Sequence, residues 1–389
     1  MAKNTENLVI SLDTHNYKIT IFENSGTDFH KVNIEEYACE SELIENQKLY
    51  DILDNVFSAY FDDKANASPE TYVVLPDYFV SVEHIKLPVL PATKMKEALR
   101  AELKKLYPNL KELEVNSQVL SKTKKNITYA CTLIKKYLIT DCVSVAKKYN
   151  LNLKNITFHS NAVSNAYRAL NSKNKHSSCV FADIAESQTH LIYTNKDKLL
   201  CFQTLPFGYN LLSTKRLLSE FEMSMSRDAE KIVYLAKRKA REKNLSSLEL
   251  DTEENKKLQL ETFLSNLRKN KISLGRFVKK SEEQEVDFLA QNFKTFEKYI
   301  LLMIKSGVEK YGFAEPENIV VNIPTDINLP ETSIEGIKLK NFAKEVPATF
   351  SLYDYLELYG ALFCDSFNKG GNFIWYEKKK CKKSFKNKV

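Results

Sequence analysis

The chain has 389 residues, which exceeds the roughly 250 to 300 at which single cores stop growing, so two or more subdomains are expected. Hydrophobic residues make up 43% and aromatic residues 11%, a composition that excludes an intrinsically disordered protein. Most of the net charge of +7 comes from residues 377–389, where seven lysines accompany one glutamate, so nucleic-acid binding is not predicted.

Several classes of functional site lack their sequence signals. The seven cysteines are odd in number and form no CxxC pair, so we expect reduced thiols. The six histidines form no i, i+4 pair and no HExxH, and GxSxG is missing, so neither a metal site nor a catalytic residue is predicted. The first residues lack a signal pattern and no apolar run approaches about 18 residues, so a cytoplasmic protein is expected.

The first 155 residues predict two different units. Residues 7–25 alternate apolar and polar side chains around a polar turn, which predicts a β-hairpin, and a helix and a buried strand follow, so 1–78 is a first α/β subdomain. Strand, helix, strand pair and helix then succeed one another within 79–155. That order predicts a compact α+β subdomain inserted into the α/β unit.

The α/β pattern then resumes. A strand, a helix and a second hairpin over 179–193 place a second α/β half at 156–214. Residues 215–310 are nearly free of glycine and proline and rich in lysine, glutamate and leucine, which predicts a helical subdomain. A strand and a helix within 311–371 return to the second half, and 372–389 form a basic tail.

This order of elements resembles the actin-like ATPase superfamily, and within it the PilM and FtsA group, across almost the whole chain. "VISLDTHNYKITIFE" matches the first phosphate-binding hairpin of that family, "CVFADIAESQTHLIY" the second, and "LPFGYNLL" the strand end that follows it. "KLPVLPATKMKEALRAELKKLYP" is similar to the inserted segment of PilM-type proteins. The resemblance implies an α/β, actin-like (ribonuclease H-like) two-half fold with an inserted α+β subdomain of the SHS2/1C-like type and a helical subdomain.

The resemblance also implies a nucleotide site, with ATP and Mg²⁺ as cofactors if the site is retained. Its residues in this sequence would be Asp13, Thr14, Lys18, Asp183, Thr189 and Gly208. Neither hairpin contains glycine, however, although a backbone that cradles phosphate needs open main chain. We therefore expect a pseudo-ATPase without a cofactor. The alternative is a working ATPase whose nucleotide state switches partner binding.

The family further implies a groove beside the insert that receives the cytoplasmic tail of an inner-membrane protein. Candidate groove residues are Val82, Ile85, Leu87, Met95 and Leu99, although apolar residues at such spacing are equally compatible with a core. The expected function is a cytoplasmic scaffold, peripheral to the inner face of the membrane, in a type IV pilus or competence-type machine. Self-association stays open.

The basic tail has three interpretations. Its candidate residues are Phe373, Ile374, Trp375, Lys378, Lys379 and Lys380. Aromatic residues beside lysines can bind an anionic membrane surface, as in an FtsA-like division protein that the tail would tether. Alternatively, the tail docks in the chain's own groove or in that of a neighbouring copy, or it is a solubilising end.

Overall fold

The computed structural model describes three β-sheets and the helices that pack on them. The residues described are 5–12, 16–25, 28–38, 49–61, 69–170, 178–185, 188–195, 198–205, 208–209, 296, 300–313, 316–323, 333–334, 337–341, 356–364 and 373. For 5–6, 16–25, 28–38, 59–61, 92–93, 170, 333–334 and 337–341 only the backbone is described. The predicted helical subdomain lies outside these residues, apart from the helix at its end.

The first sheet has the strand order β3-β2-β1-β4-β8. Its strands are β1 (Thr5–Leu12), β2 (Asn16–Ser25), β3 (Asp28–Ala38), β4 (Glu70–Leu75) and β8 (Asn152–Phe158). β1, β2 and β3 pair in antiparallel fashion, which includes the predicted hairpin, whereas β4 is parallel to both β1 and β8. Helix α1 (Leu49–Phe61) makes the connection from β3 to β4.

The insert leaves the first sheet after β4 and the chain returns to it at β8. It forms a sheet of order β5-β7-β6 from β5 (Val80–Pro88), β6 (Leu113–Lys122) and β7 (Asn126–Lys135). Helix α2 (Ala92–Leu106) covers one face of this sheet, and their apolar side chains make a separate small core. Helix α3 (Lys136–Lys148) instead contributes to the main core with α1.

The second sheet repeats the layout of the first. Its order is β11-β10-β9-β12-β14-β13, from β9 (Ser178–Ile184), β10 (Thr189–Asn195), β11 (Lys198–Leu205), β12 (Asn318–Asn322), β13 (Ser333–Ile334) and β14 (Ile337–Asn341). Three consecutive antiparallel strands are again followed by a parallel one, here β12 beside β9. The predicted division into two similar halves is therefore present.

Three helices complete the described structure: α4 (His159–Leu170), α5 (residues 300–311) and α6 (Leu356–Ala361). α4 follows β8 directly and packs against α6. A methyl group on Gly360 of α6 would lie 1.8 Å from the carbonyl oxygen of Ala162 in α4, so the close packing of these helices requires glycine. Among the described helices, none is both long and apolar enough to cross a lipid bilayer.

Candidate functional site

A row of polar side chains crosses four strands of the second sheet on one face. Thr204 of β11 is the register partner of His190 of β10, His190 that of Asp183 of β9, and Asp183 that of Asn322 of β12. Register partners in a sheet point to the same face, so these residues are side by side. His190, Asp183 and Asn322 are buried, although polar and charged residues are seldom buried unless they are paired.

The first half supplies the partners of this row from the ends of two parallel strands, β4 and β8. The predicted start of the second half at 156 is therefore too early, because β8 pairs with β4 in the first sheet. Asp77 follows β4 in a short 3₁₀ helix, and His159 begins α4 directly after β8. Parallel neighbouring strands end at the same edge of a sheet, so these two residues reach the second half together. We call Asp77, His159, Asp183 and His190 the cross-cleft cluster.

The first pair of the cluster joins His159 to Asp183. The Nε2 atom of His159 lies 2.8 Å from Oδ2 of Asp183, while Nδ2 of Asn322 donates to Oδ1 of the same carboxylate over 2.7 Å. Burial opposes ionisation of Asp183, but the hydrogen bond and charge of His159 hold its pKa below the ordinary value. Burial likewise opposes protonation of His159, yet Asp183 raises its pKa to about 9. At neutral pH the two residues therefore form an ion pair.

The second pair joins Asp77 to His190 and also holds the start of α4. The Nδ1 atom of His190 lies 2.8 Å from Oδ2 of Asp77, and the backbone N–H of Ser160 donates to Oδ1 over 2.9 Å. A carboxylate at a helix N-terminus satisfies free N–H groups and the helix dipole. Burial opposes ionisation of Asp77, but its bonds to His190 and Ser160 hold its pKa below the ordinary value. The charge of Asp77 is thus stabilised on both oxygens.

Both pairs cross the cleft between the halves. The rings of His159 and His190 also contact each other in a tilted arrangement, with centroids 4.2 Å apart and planes inclined by 34°. The cavity beside them measures about 50 Å³ and is bordered by Asp77 and both histidines. A water molecule takes about 30 Å³ in the liquid, so this space has room for one or two waters. The cluster thus connects the two halves through their own side chains.

The described residues of the cluster use their polar groups among themselves. Both oxygens of Asp183 already accept hydrogen bonds, and in the described part of the chain no three metal-ligating residues are arranged to hold a metal ion. The N–H of Ala185, in the turn where a phosphate-binding hairpin needs open backbone, donates to the carbonyl oxygen of Gln188 over 2.9 Å. The turn therefore uses this donor internally.

The predicted nucleotide residues are only partly described. Asp183 takes part in the cluster, and Thr189 is buried opposite Ile184. Gly208 is buried beside Tyr209, whose N–H donates to the carbonyl oxygen of Ala185, so the chain following β11 contacts the hairpin turn. Asp13 and Thr14 lie outside the described residues. Lys18 lies in β2 opposite Ser11, but only its backbone is described.

Most of the predicted groove residues lie in the core of the insert. Ile85, Leu87, Met95 and Leu99 are 4% to 8% exposed and form the core between the insert sheet and α2, so their side chains face no groove. Val82 lies on the opposite face of β5 and is half-buried. The core alternative thus describes four of the five candidates, and a partner surface must be sought elsewhere on the insert.

The tail prediction requires one correction. Phe373 is 2% exposed, its ring lies 6.4 Å from that of Phe158, and its N–H donates to the carbonyl oxygen of Ile156 over 3.1 Å. This residue therefore packs along β8 and is not available to a membrane. The remaining tail candidates, Ile374, Trp375, Lys378, Lys379 and Lys380, lie outside the described residues.

Sequence reasoning missed Asp77, His159 and His190. No sequence spacing connects His159 with His190, so the positions of the six histidines predict no cluster. A usable signal was nevertheless present. Asp77 and His159 each follow a buried apolar strand, and the carboxyl ends of neighbouring parallel strands are where binding groups gather in α/β folds.

Comparison with known proteins reveals the fold. No family model matches the chain, and no curated protein matches it. A solved structure named "PilM-PilN type IV pilus biogenesis complex" matches with a TM-score of 0.52 and 15% identity, over 92% of this chain and 96% of that chain. The predicted actin-like fold is thereby confirmed.

Two further solved structures match less well. One is the cytoplasmic domain of EpsL, an inner membrane component of the type II secretion system of Vibrio cholerae, with a TM-score of 0.35, 13% identity, and coverage of 54% of this chain and 74% of that one. The other is a protein of actin-like ATPase fold from Bacteroides thetaiotaomicron, with a TM-score of 0.34, 14% identity, and coverage of 65% and 88%.

Proposed function

We propose that this chain is a cytoplasmic actin-like scaffold of a membrane-associated assembly machine of the type IV pilus or competence kind. In that role it binds the cytoplasmic tail of an inner-membrane partner and does not hydrolyse ATP. The fold match to the PilM–PilN complex over 92% of the chain supports the choice of machine. The degenerate phosphate hairpins and the cross-cleft cluster support the lack of ATP hydrolysis.

The observation that carries this proposal is the state of the Asp183 carboxylate. Phosphoryl transfer in such a fold needs a carboxylate that is free to organise a metal ion and its water. Here His159 and Asn322 engage both oxygens. Separating His159 from Asp183 would leave a buried charge unpaired. Removing one partner of a buried ion pair costs about 3–5 kcal/mol of stability, and separating the two should cost a similar amount. The free energy of nucleotide binding at this carboxylate would have to offset that cost.

A nucleotide-switched ATPase is the second candidate function. Asp183 and Thr189 still occupy the second hairpin, as they would in an active relative, and ATP with Mg²⁺ would then be the ligand. The two candidates differ in one measurable property, which is phosphate release from ATP.

A hydrolysis assay separates them. Purified full-length protein and the double variant Asp13→Ala/Asp183→Ala are incubated with Mg-ATP, and released phosphate is measured. We expect equal, background rates, because the site lacks preorganised backbone donors. Release by the wild type that disappears in the double variant would establish the ATPase instead.

Membrane association tests the scaffold part of the proposal. Chemical cross-linking in intact cells followed by membrane fractionation should recover the chain covalently bound to an inner-membrane protein that has a cytoplasmic tail. Recovery of the chain from the soluble fraction alone, without such a partner, would contradict the assignment.

A further inference from the structure

A second and larger cavity lies between the insert and the second half. Its volume is about 560 Å³, within the range of roughly 300 to 1,000 Å³ that binding pockets occupy. Its lining includes His84 and Lys86 of the insert, Val180 and Lys198 of the second sheet, and Tyr311 and Phe313 at the end of α5. It shares no described residue with the cavity beside the cross-cleft cluster. The two are therefore separate sites.

The insert holds one wall of this cavity by contacts with an edge strand. Among the described strands, β11 is the edge of the second sheet, and one side of its backbone pairs with none of them. His84 Nε2 lies 2.7 Å from the carbonyl oxygen of Leu200, and Gln118 Nε2 donates to that of Leu199 over 3.5 Å. Lys198 of β11 donates in return to the carbonyl oxygen of Val119. These contacts fix the insert against the second half.

The end of α5 supplies an aromatic wall. The helix stops at Gly312, which has a φ of +66°, and the N–H of Phe313 donates to the carbonyl oxygen of Val308 over 3.1 Å. This is a Schellman motif, which turns the chain back at a helix end. It stacks Phe313 on Tyr311, with ring centroids 5.5 Å apart and planes inclined by 16°, and both rings contact His84. The resulting aromatic surface suits a planar or apolar side chain.

His84 offers a hydrogen-bond acceptor in the same place. Burial lowers its pKa, so the ring is neutral at physiological pH. The carbonyl oxygen of Leu200 can only accept, so Nε2 carries the ring proton. The other nitrogen, Nδ1, is therefore an acceptor for an N–H group of a ligand.

The cavity is positively charged. Lys86 is exposed at its lining and Lys198 is a second cation there, whereas none of its described lining residues is acidic. The turn between β6 and β7 follows the lining residue Ser121 and adds three lysines, Lys122, Lys124 and Lys125.

Other charges near the mouth do not reverse this balance. Lys310 of α5 lies 4.8 Å above the ring of Tyr311, while Glu309 and Glu317 are exposed next to lining residues. Among the described residues, these two carboxylates and that of Glu83 next to His84 accompany six lysines around the cavity. The chain's own basic tail, with seven lysines in 377–389, has the wrong charge to occupy it.

We propose that this cavity binds a short acidic segment of a partner protein. One aromatic or leucine side chain of that segment packs on Tyr311 and Phe313, and its carboxylates lie beside Lys86 and Lys198. The proposal rests on the scaffold function, because it names the chemistry of the partner segment and the surface that receives it. It also replaces the buried residues Ile85, Leu87, Met95 and Leu99 as the binding surface.

A peptide-binding measurement tests the proposal. The probe is a fluorescein-labelled peptide of sequence Gly-Glu-Asp-Phe-Leu-Glu-Gly, titrated with the full-length protein and followed by fluorescence anisotropy. We expect saturable binding, and none for a peptide with lysine in place of each acidic residue. Lys86→Glu should weaken binding about tenfold, which corresponds to about 1.4 kcal/mol. The matched control is Lys104→Glu, a charge reversal at another exposed lysine, on α2 behind the opposite face of the insert sheet. This variant should leave binding unchanged.

Cross-linking locates the bound peptide. Benzoylphenylalanine in place of the peptide's phenylalanine should form adducts in 305–313 or 80–88. Three outcomes would each overturn the proposal. They are adducts elsewhere in the chain, a lack of saturable binding up to about 1 mM, and equal effects of Lys86→Glu and Lys104→Glu on binding. An inner-membrane partner whose capture Lys86→Glu does not weaken would also overturn it while leaving the scaffold function intact. Absence of any membrane partner would instead contradict the scaffold function.

Discussion

The ion pair between His159 and Asp183 holds two charges where little water reaches them. Removing one partner of a buried pair leaves the other charge uncompensated, whereas removing both avoids that cost. We expect His159→Ala and Asp183→Ala each to lower the free energy of unfolding by about 3 kcal/mol. The double variant should lose clearly less than the sum. Urea denaturation measures all three variants, and additive losses would contradict the pairing.

The same pair predicts how stability depends on pH. The pKa of His159 rises from 6.5 to about 9 on folding, because Asp183, Asp77 and Glu357 outweigh the effect of burial. A raised pKa stabilises the fold fully below pH 6.5, and this contribution disappears as the pH rises through about 9. The pKa of Asp183 is lowered, so its contribution is present above 3.8 and disappears as the pH falls below that value.

Thermal unfolding between pH 5 and pH 10 checks this dependence. The wild type should lose stability towards pH 9, and His159→Gln should lack this alkaline loss because glutamine does not titrate. Burial raises the pKa of Cys131 to about 12, so this thiol does not titrate in the same window. An identical alkaline loss in the variant would assign the effect to other groups.

At the scale of elements, the insert is bounded more narrowly than the sequence predicts. The predicted range 79–155 includes α3 and part of β8, but α3 packs into the main core and β8 pairs with β4. Val80 and Ile134, by contrast, are register partners in β5 and β7. Opposed residues in antiparallel strands are about 5 Å apart, so a two-residue turn can join them.

This geometry defines a deletion variant. Replacing residues 81–133 by Asn-Gly should leave both halves folded. The variant should also keep the loss of stability at alkaline pH that His159 causes, because the cluster lies outside the removed segment. The variant should also fail to bind the acidic peptide and to cross-link to its membrane partner. Circular dichroism and the binding assay measure both outcomes. A folded deletion protein that keeps the partner would place the interaction outside the insert.

The alternation of side chains between the two faces of a strand explains which features of these elements the sequence could predict. In β5 the pattern separates Ile85 and Leu87 from His84 and Lys86, so two faces follow from sequence. Which face meets α2 depends on tertiary packing, so the sequence could not decide between a groove and a core for Ile85 and Leu87. The hairpins and the actin-like order were predictable, because their signals are local. Asp77 and His159 had a local signal at their strand ends, but their pairing with His190 and Asp183 was not predictable, because these residues meet only when the two sheets face each other.

At the scale of the whole molecule, two similar halves face each other across a cleft. In a nucleotide-dependent protein the ligand supplies the interactions that favour closure. Here Asp77 with His190, and His159 with Asp183, supply cross-cleft contacts from the chain itself. We infer that the contact between the halves does not depend on nucleotide, which suits a scaffold that presents a constant surface to its partner.

The most direct test of this claim is the thermal unfolding midpoint of the full-length protein with and without Mg-ATP near neutral pH. A ligand present at 100 times its Kd adds about 2.7 kcal/mol of stability, which is readily visible as a shift. The cross-cleft cluster predicts the same midpoint in both samples. A rise in the midpoint with Mg-ATP that is absent in Asp183→Ala would show that nucleotide binds at this carboxylate and would contradict the account.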